Sequence, residues 1–248
     1  EDHEVDPYLL VVISDAKGQP LRRIARSYSS GIQRFTWDGK VARKDAPKRA
    51  AYFVSPGTYN VQLIGFAEGK FDTLTEPKAF NVKHLNNLSL PSTDLALQKF
   101  QQRVNQTGRR YERLDMTFKE TQSLANDLYE ALKYTPSGSP EQLQTVMQLQ
   151  SDLEAMDIVL NGDASMSKRE FETLPGLGDR LSTATWGSYG MRSEVTGTMK
   201  AQLDIVEAAL PKLEEKLEAL QKSLKMAETS AIQDGAPYVR GGLDQPLP

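Results

Sequence analysis

The chain has 248 residues, a formal net charge of −3 and 39% hydrophobic residues, values that are ordinary for a folded globular protein. It contains no cysteine, which excludes disulfide bonds, thiolate metal ligands and cysteine nucleophiles. No window of the sequence approaches the ~18 consecutive apolar residues of a membrane-spanning helix. We therefore predict that the chain does not cross a bilayer.

The two halves of the chain differ in charge, but only weakly. Residues 1–90 contain 13 Lys and Arg against 10 Asp and Glu, whereas residues 91–248 contain 17 against 23. The resulting charges of +3 and −6 are too small to indicate nucleic acid or an acidic membrane as a partner. The sequence starts at Glu1 without Met or an apolar signal stretch, and we interpret it as a piece of a longer protein.

The first ninety residues predict a series of short strands separated by turns. Alternation in one of these stretches should direct Phe35 and Trp37 toward a core. The stretches 40–51 and 65–77 are interpreted as loops. Five or six short strands with frequent turns predict an immunoglobulin-like or fibronectin-type β-sandwich over residues 1–90. The predicted strands are Tyr8–Ser14, a segment through Leu21, Ile24 and Tyr28, and then Ile32–Trp37, Thr58–Ile64 and Lys78–Lys83.

Residues 91–134 predict one long helix with a continuous apolar seam. The signals at Pro91–Asp94 start it, and the breaker sequence Thr135–Pro140 ends it. At ~1.5 Å per residue it would span about 60 Å, so we expect its partners to be helices further along the chain. The seam repeats at spacings of three and four residues and consists of Leu97, Phe100, Val104, Thr107, Tyr111, Leu114, Phe118, Thr121, Ala125, Leu128 and Leu132.

Two further helices with matching seams are predicted. The second starts near Pro140, ends near Asn161–Gly162 and contains Val146, Leu149, Leu153, Met156 and Leu160. The third contains Met199, Leu203, Val206, Leu210, Leu213, Leu217, Leu220 and Leu224. Together the three predict an antiparallel three-helix bundle over residues 91–231, followed by an extended tail over 232–248.

The segment between the second and third long helices is rich in small and polar residues. A short helix is predicted over Gly178–Trp186. We expect Leu181, Trp186 and Tyr189 to close the end of the bundle where the second helix stops. Pro211 interrupts the hydrogen bonding of the last helix, and a kink is expected there.

Three stretches of the first half resemble a known family. They are "ISDAKGQPLRRI", "GIQRFTWDGK" and "SPGTYNVQLI". Their order resembles the Ig-like fold of the flagellar hook-capping type. It resembles more closely the domain that follows the β-propeller in bacterial sortilin-like, Asp-box-repeat (BNR) proteins, which are often labelled glycosyl hydrolases. That family commonly has W-D-L-R where this chain has Trp37-Asp38-Gly39-Lys40.

The helical half resembles the same family at Leu174–Leu181 and at the closing Gly235–Tyr238. The resemblance implies a C-terminal module of an exported propeller protein, with the propeller of the same chain as a partner. It implies a location outside the cytoplasm, either periplasmic, secreted or at the cell surface. The Asp-box repeats that build the propeller do not occur in this sequence, so any glycosidase activity would belong to another part of the protein.

Few residues suggest chemistry. Asn161-Gly162-Asp163, Ser165, Ser167 and Glu170 are similar to the later part of an EF-hand loop, but Val159 and Ala164 occupy the first ligand position and the glycine position. The only histidines are His3 and His84, without a zinc-binding spacing. The carboxylate pairs Glu214–Glu215 and Glu170–Glu172 are better explained as solvated surface than as a glycosidase pair. We predict no catalytic, metal or cofactor residue.

Two surface features remain open to interpretation. Basic residues in two loops fit a solvated surface better than a nucleic-acid site, with an acidic neighbouring domain as the second interpretation. The aromatic residues of the first half fit a sandwich core better than a carbohydrate platform. The basic residues are Arg22, Arg23 and Arg26, and Lys40, Arg43, Lys44, Lys48 and Arg49. The aromatic residues are Tyr8, Phe35, Trp37, Tyr52, Phe53 and Tyr59.

The sequence thus favours a non-catalytic accessory module that docks to another domain or protein, or to a second copy through its helices. The alternative is a carbohydrate-binding unit that serves an attached glycosidase. A small enzyme of unrecognised type is a third hypothesis, and it would require a pocket with convergent polar groups.

Overall fold

The structure is a computed structural model that describes residues 5–44, 46, 48–83, 94–191 and 193–237. Antiparallel sheets in the N-terminal part are followed by helices, which confirms the predicted mixture of β and α structure. The chain divides into two compact units. Unit 1 comprises Glu1–Asn105 and Thr185–Thr196, and unit 2 comprises Gln106–Ala184 and Gly197–Pro248.

In the described residues of unit 1, seven strands form two antiparallel sheets. The larger sheet has the order β2-β1-β5-β6, and β7 pairs with the other part of β5. The smaller sheet consists of β3 and β4. The strands are β1 (Tyr8–Asp15), β2 (Pro20–Ser27), β3 (Lys40–Ala42), β4 (Ala50–Phe53), β5 (Gly57–Ala67), β6 (Lys70–Thr73) and β7 (Lys78–Val82).

Local turn chemistry explains two of the hairpins. Between β1 and β2, the Asp15 carboxylate accepts hydrogen bonds from the backbone amides of Lys17 and Gln19, both at 2.9 Å. Between β5 and β6, Glu68 and Gly69 both have positive φ, at 51° and 73°. A two-residue turn with positive φ at both positions twists in the same sense as its flanking strands and closes a tight hairpin.

The predicted strand Ile32–Trp37 is wrong, because this stretch joins neither sheet. Its alternation is nevertheless real, since Phe35 and Trp37 are partly buried whereas Ile32 is fully exposed. The Trp37 indole N–H donates to the carbonyl of Lys40, the first residue of β3, at 2.8 Å. An extended segment can direct side chains inward without ladder hydrogen bonds, and periodicity alone does not distinguish the two cases.

The predicted loops were also too long. The stretch 40–51 contains β3 and the start of β4, and the stretch 65–77 contains the end of β5 and all of β6. Val41 and Ala51, within the first of these loops, are only 7% and 2% exposed. The basic residues between β3 and β4 concealed two short strands whose inward side chains are apolar.

The core of unit 1 joins residues from both sheets. Buried Val41, Ala51, Tyr52, Val54 and Tyr59 form one cluster. Partly buried residues pack against it, and they are Leu21, Trp37, Phe80, Val82 and Tyr189. The Trp37, Tyr59 and Phe80 rings contact one another with centroid separations of 5.8–6.1 Å. These contacts bury the large aromatic surface that the sequence assigned to a core.

Five helices follow among the described residues, and the lengths of the long ones agree closely with the predicted segments. They are α1 (Asp94–Lys133), α2 (Pro140–Asn161), α3 (Ala164–Ser167), α4 (Leu177–Tyr189) and α5 (Gly197–Gln233). Pro211 lies inside α5, and α3 was not predicted. The predicted start signals at Pro91–Thr93 lie outside the described residues, as does the boundary at residues 90 and 91.

The predicted helix seams are confirmed by burial. Every seam residue of α2 is buried, and so is every seam residue of α5 except Met199. In α1, only Tyr111 of the seam is less than fully buried. Because residues three and four positions apart share one helix face, the spacing of apolar residues was enough to identify these faces.

Hydrogen bonds show the directions of the long helices in unit 2. Thr107 bonds to Glu207 and Gln221 bonds to Thr121, so α1 and α5 run in the same direction. Tyr111 bonds to Asn161 and Gln150 bonds to Asn126, so α2 runs opposite to α1.

The start of α1 corrects one expectation. Its first turns belong to unit 1 with the strands, so the partners of α1 do not all lie further along the chain. The Asn105 side chain donates to the Ala42 carbonyl at 3.3 Å and accepts from the Lys44 amide at 2.7 Å. The side-chain amide of Gln101 donates through Nε2 to the Ser188 carbonyl at 2.7 Å. The predicted division at residue 90 remains a prediction, whereas unit 1 extends to Asn105.

The residues expected to close the end of the helices behave differently from one another. Leu181 is 8% exposed and is therefore buried as expected. Trp186 is 77% exposed, so most of its side chain is not buried. The Tyr189 ring packs on Tyr52 in unit 1, with centroids 5.7 Å apart. At the C-terminus α5 extends to Gln233 and Ala236 is buried, so the predicted tail begins later than residue 232.

Candidate functional site

The part of the sequence similar to an EF-hand forms a helix cap. Asp163 Oδ1 accepts hydrogen bonds from the backbone amides of Ser165 and Met166, both at 3.0 Å, and from the Ser165 hydroxyl at 2.7 Å. The Met166 amide, followed by the Ser165 hydroxyl, keeps the pKa of the Asp163 carboxyl below its usual value. The carboxylate therefore satisfies the first turn of α3.

The two carboxylate pairs have separate environments. Glu214 is partly buried and accepts a hydrogen bond from Arg110 Nε at 2.7 Å, whereas Glu215 is exposed. The hydrogen bond from Arg110 keeps the pKa of Glu214 below its usual value. Glu170 and Glu172 are both exposed. Glu214 thus takes part in an ion pair between helices, which is a structural role.

The remaining acidic side chains form no ligand cluster in the part of the chain that the structure describes. Among the described residues, no group of three or more His, Asp or Glu side chains could hold a metal ion. His3 and His84 lie outside those residues. Over the same residues, none of the helices combines the length and apolarity needed to cross a membrane.

The basic residues of unit 1 lie on β2 and on the neighbouring hairpin of β3 and β4. The Arg22 guanidinium donates to the Arg49 carbonyl at 2.7 Å, and the Arg43 amide donates to the same carbonyl at 3.0 Å. These bonds bring β2 next to the hairpin of β3 and β4. Arg23, Arg26, Lys44, Lys48 and Arg49 are exposed around them.

The predicted aromatic strip separates into a core part and a surface part. Tyr52 and Tyr59 are buried, and burial raises the pKa of Tyr52 to about 12. The Tyr59 hydroxyl donates to the Ser55 carbonyl at 2.6 Å. Tyr8 instead contacts Phe66 and Phe71, which the sequence analysis did not identify. This second group is the more accessible one.

Tyr8, Phe66 and Phe71 form an aromatic trio on the large sheet. The centroid of Phe66 lies 4.9 Å from those of both Tyr8 and Phe71, and the Tyr8 and Phe71 centroids are 6.4 Å apart. The register explains the contact, since Tyr8 and Phe71 are both direct partners of Phe66 across neighbouring strands. Phe71 is 61% exposed.

The trio belongs to a wider apolar surface, which we call the outer sheet face. Leu9, Val11 and Ile13 of β1 point to the buried side, so the alternate residues point to the opposite side. These alternate residues and their register partners are partly exposed or exposed. The outer sheet face consists of Tyr8, Leu10, Val12, Ile64, Phe66 and Phe71.

A groove lies on the other side of the same sheet. It has a volume of about 530 Å³ and runs between the sheet and residues 28–35. Leu9, Val11, Leu63 and Phe35 provide its apolar lining, with Gln33 among its polar residues. The lining contains one ionisable amine, Lys78, and no acidic side chain, so it does not offer an acid and base pair.

Sequence reasoning missed Phe66 and Phe71 because both fell in a predicted loop. A signal for them was present, since Glu68-Gly69 separates Phe66 from Phe71 by a length that fits a two-residue hairpin. Comparisons with family models, curated proteins and solved structures give no match to this chain.

Proposed function

We propose that this chain is a non-catalytic interaction module whose outer sheet face binds a neighbouring protein domain. The carrying observation is the composition of that face, where six apolar side chains, three of them aromatic, lie on one side of the sheet; Phe71 is exposed and the other five are partly exposed. Contiguous exposed apolar surface with aromatic residues is typical of protein interfaces. It is costly to keep in water, and burial against a partner would recover that cost.

The partner we propose is the β-propeller that the sequence resemblance implies, within an exported sortilin-like protein. In this proposal unit 1 contains an Ig-like sandwich, supported by the shared core of its two sheets. The long helices form an antiparallel three-helix bundle, supported by the alternating directions of α1, α2 and α5. The module acts outside the cytoplasm as a docking piece.

The test is a titration of the chain with a recombinant sortilin-like Asp-box propeller, followed by calorimetry. Phe71→Ser should weaken binding by roughly tenfold or more, because the most exposed aromatic contact of the face is lost. Met226→Ser is the matched control, since Met226 is 67% exposed but belongs to α5 and not to the outer sheet face. Equal affinities of the wild type and the Phe71 variant would contradict the proposal.

A carbohydrate-binding unit is the second candidate, and the aromatic trio favours it. Exposed rings in one surface can pack against the apolar faces of sugar rings, in the manner in which aromatic surfaces bury other ligands. Retardation of the chain in gels that contain soluble polysaccharides would support this function if Phe71→Ala abolished it. Unchanged mobility in every polysaccharide would reject it.

A further inference from the structure

Helix α2 exposes an apolar stripe on the side opposite its buried seam. Met147, Glu154 and Ile158 are separated by seven and four residues, which places them along one line of the helix. Met147 is 54% exposed and Ile158 is 46% exposed. The seam residues on the other side of α2 are apolar and buried, so this helix has apolar residues on two faces.

The charge on α2 restricts what can cover this stripe. The helix contains four acidic residues and no basic residue. Glu154 lies within the stripe, and Asp157, which directly precedes Ile158, is partly buried. Pairing of two α2 faces would place like charges against one another, which is unfavourable in an interface. The stripe therefore fits a surface that is both apolar and cationic.

Unit 1 provides a surface with those two properties. The stretch from Arg22 to Trp37 contains four arginines and no acidic residue, and we call it the arginine segment. Within it Tyr28 is 63% exposed and Ile32 is fully exposed. Arg26 and Arg34 are exposed on either side of these two residues in the sequence.

We propose that this chain associates with a second copy of itself, with the exposed α2 stripe of one copy against the arginine segment of the next. The two surfaces match in charge and both contain exposed large apolar side chains. Such a contact is heterologous, so it leaves one surface of each kind free and leads to rings or longer assemblies. The inference goes beyond the proposed docking function and uses different residues, so each can fail without the other.

The test is sedimentation velocity over a range of protein concentrations at low and high salt. We expect concentration-dependent association that weakens at high salt, since the contact depends on opposite charges. Ser151→Lys/Glu154→Lys/Asp157→Lys reverses the local charge on α2. Arg26→Glu/Ser30→Glu/Arg34→Glu reverses the local charge of the arginine segment. Each variant alone should associate at least about tenfold more weakly, because both of its surfaces then have the same sign.

A mixture of the two variants provides the decisive measurement. In the mixture each altered surface meets an opposite charge, so association should return. Lys212→Glu/Lys216→Glu, at exposed positions of α5, controls for overall charge and should leave association unchanged. Circular dichroism establishes that each variant is folded. A wild type that stays monomeric, or a mixture that does not associate, overturns the proposal. Stronger association of Glu154→Gln/Asp157→Asn also overturns it, because it would indicate α2 pairing with α2.

Discussion

At the scale of single residues, Gly176 packs closely against the backbone at the end of α2. A Cβ atom at this position would lie 2.6 Å from the Asn161 carbonyl carbon and from the Gly162 nitrogen, and 2.8 Å from the Leu160 oxygen. All three atoms belong to the backbone at the end of α2. They cannot move by a change of side-chain rotamer, so only glycine fits without displacing the helix end.

Gly176→Ala should therefore lower the free energy of unfolding by about 1–3 kcal/mol, the usual range for overpacking. Chemical unfolding followed by far-ultraviolet circular dichroism measures the change. Gly190→Ala is the control, because a Cβ atom there would meet no atom within 4 Å. Equal stability of the two variants would show that the end of α2 can shift at no cost.

At the scale of elements, α2 is fixed at its first turn by one side chain with two roles. Gln142 Oε1 accepts from the Ser139 amide at 2.9 Å, which completes a capping box with the Ser139 hydroxyl. The Gln142 amide nitrogen also donates to Ser230 Oγ at 2.8 Å and to Asp234 Oδ2 at 2.6 Å. The same residue thus starts α2 and holds it to the end of α5.

Gln142→Glu separates these two roles. The carboxylate keeps an acceptor for the cap but loses both donors and faces the charge of Asp234. We expect a loss of about 1–2 kcal/mol in the free energy of unfolding at neutral pH. Gln144→Glu, at an exposed position of the same helix, should be close to neutral. Urea unfolding of both variants checks the difference, and similar losses would contradict the second role.

Helices and strands were predicted correctly where the spacing of apolar residues repeated over enough consecutive residues to be recognised. The burial of Val146, Leu149 and Leu153 followed from their spacing, because an amphipathic helix repeats the same environment every turn. Short strands such as β3 and β6 provide only three or four residues, too few for a period to be recognised. The outer sheet face was missed for this reason, because Phe71 joins it only through the pairing of β6 with β5.

At the scale of the whole molecule, an ion pair makes the free energy of unfolding depend on pH. Arg110 and Glu214 join α1 to α5, with Arg113 Nη2 3.6 Å from the same carboxylate. Hydrogen bonding to Arg110 lowers the pKa of Glu214 from its usual value of 4.5. A carboxyl group whose pKa is lower in the folded state stabilises the fold above its unfolded pKa. This contribution is lost as the pH falls through the folded pKa.

Glu214→Gln should accordingly destabilise the protein by about 0.5–1 kcal/mol near pH 7, the size typical of a partly exposed ion pair. Below the usual carboxyl pKa of 4.5 the difference from wild type should decrease and then vanish. Thermal unfolding at a series of pH values measures it. Glu215→Gln, at the exposed neighbouring position, should show little effect at any pH. A difference that is independent of pH would show that the contact with Arg110 is not ionic.

The sequence by itself determined the order of sheets and helices, the lengths of the long helices and the apolar seams that these long helices bury. These properties follow from periodicity, caps and turns, which act over a few residues. Only the tertiary structure decided that the first turns of α1 belong with the strands, through Gln101 and Asn105, and that Tyr8, Phe66 and Phe71 form one accessible surface. The apolar seam of α1 is the same along its whole length, so spacing shows that a face is buried but not what buries it. The identity of the partner depends on contacts between residues far apart in the chain.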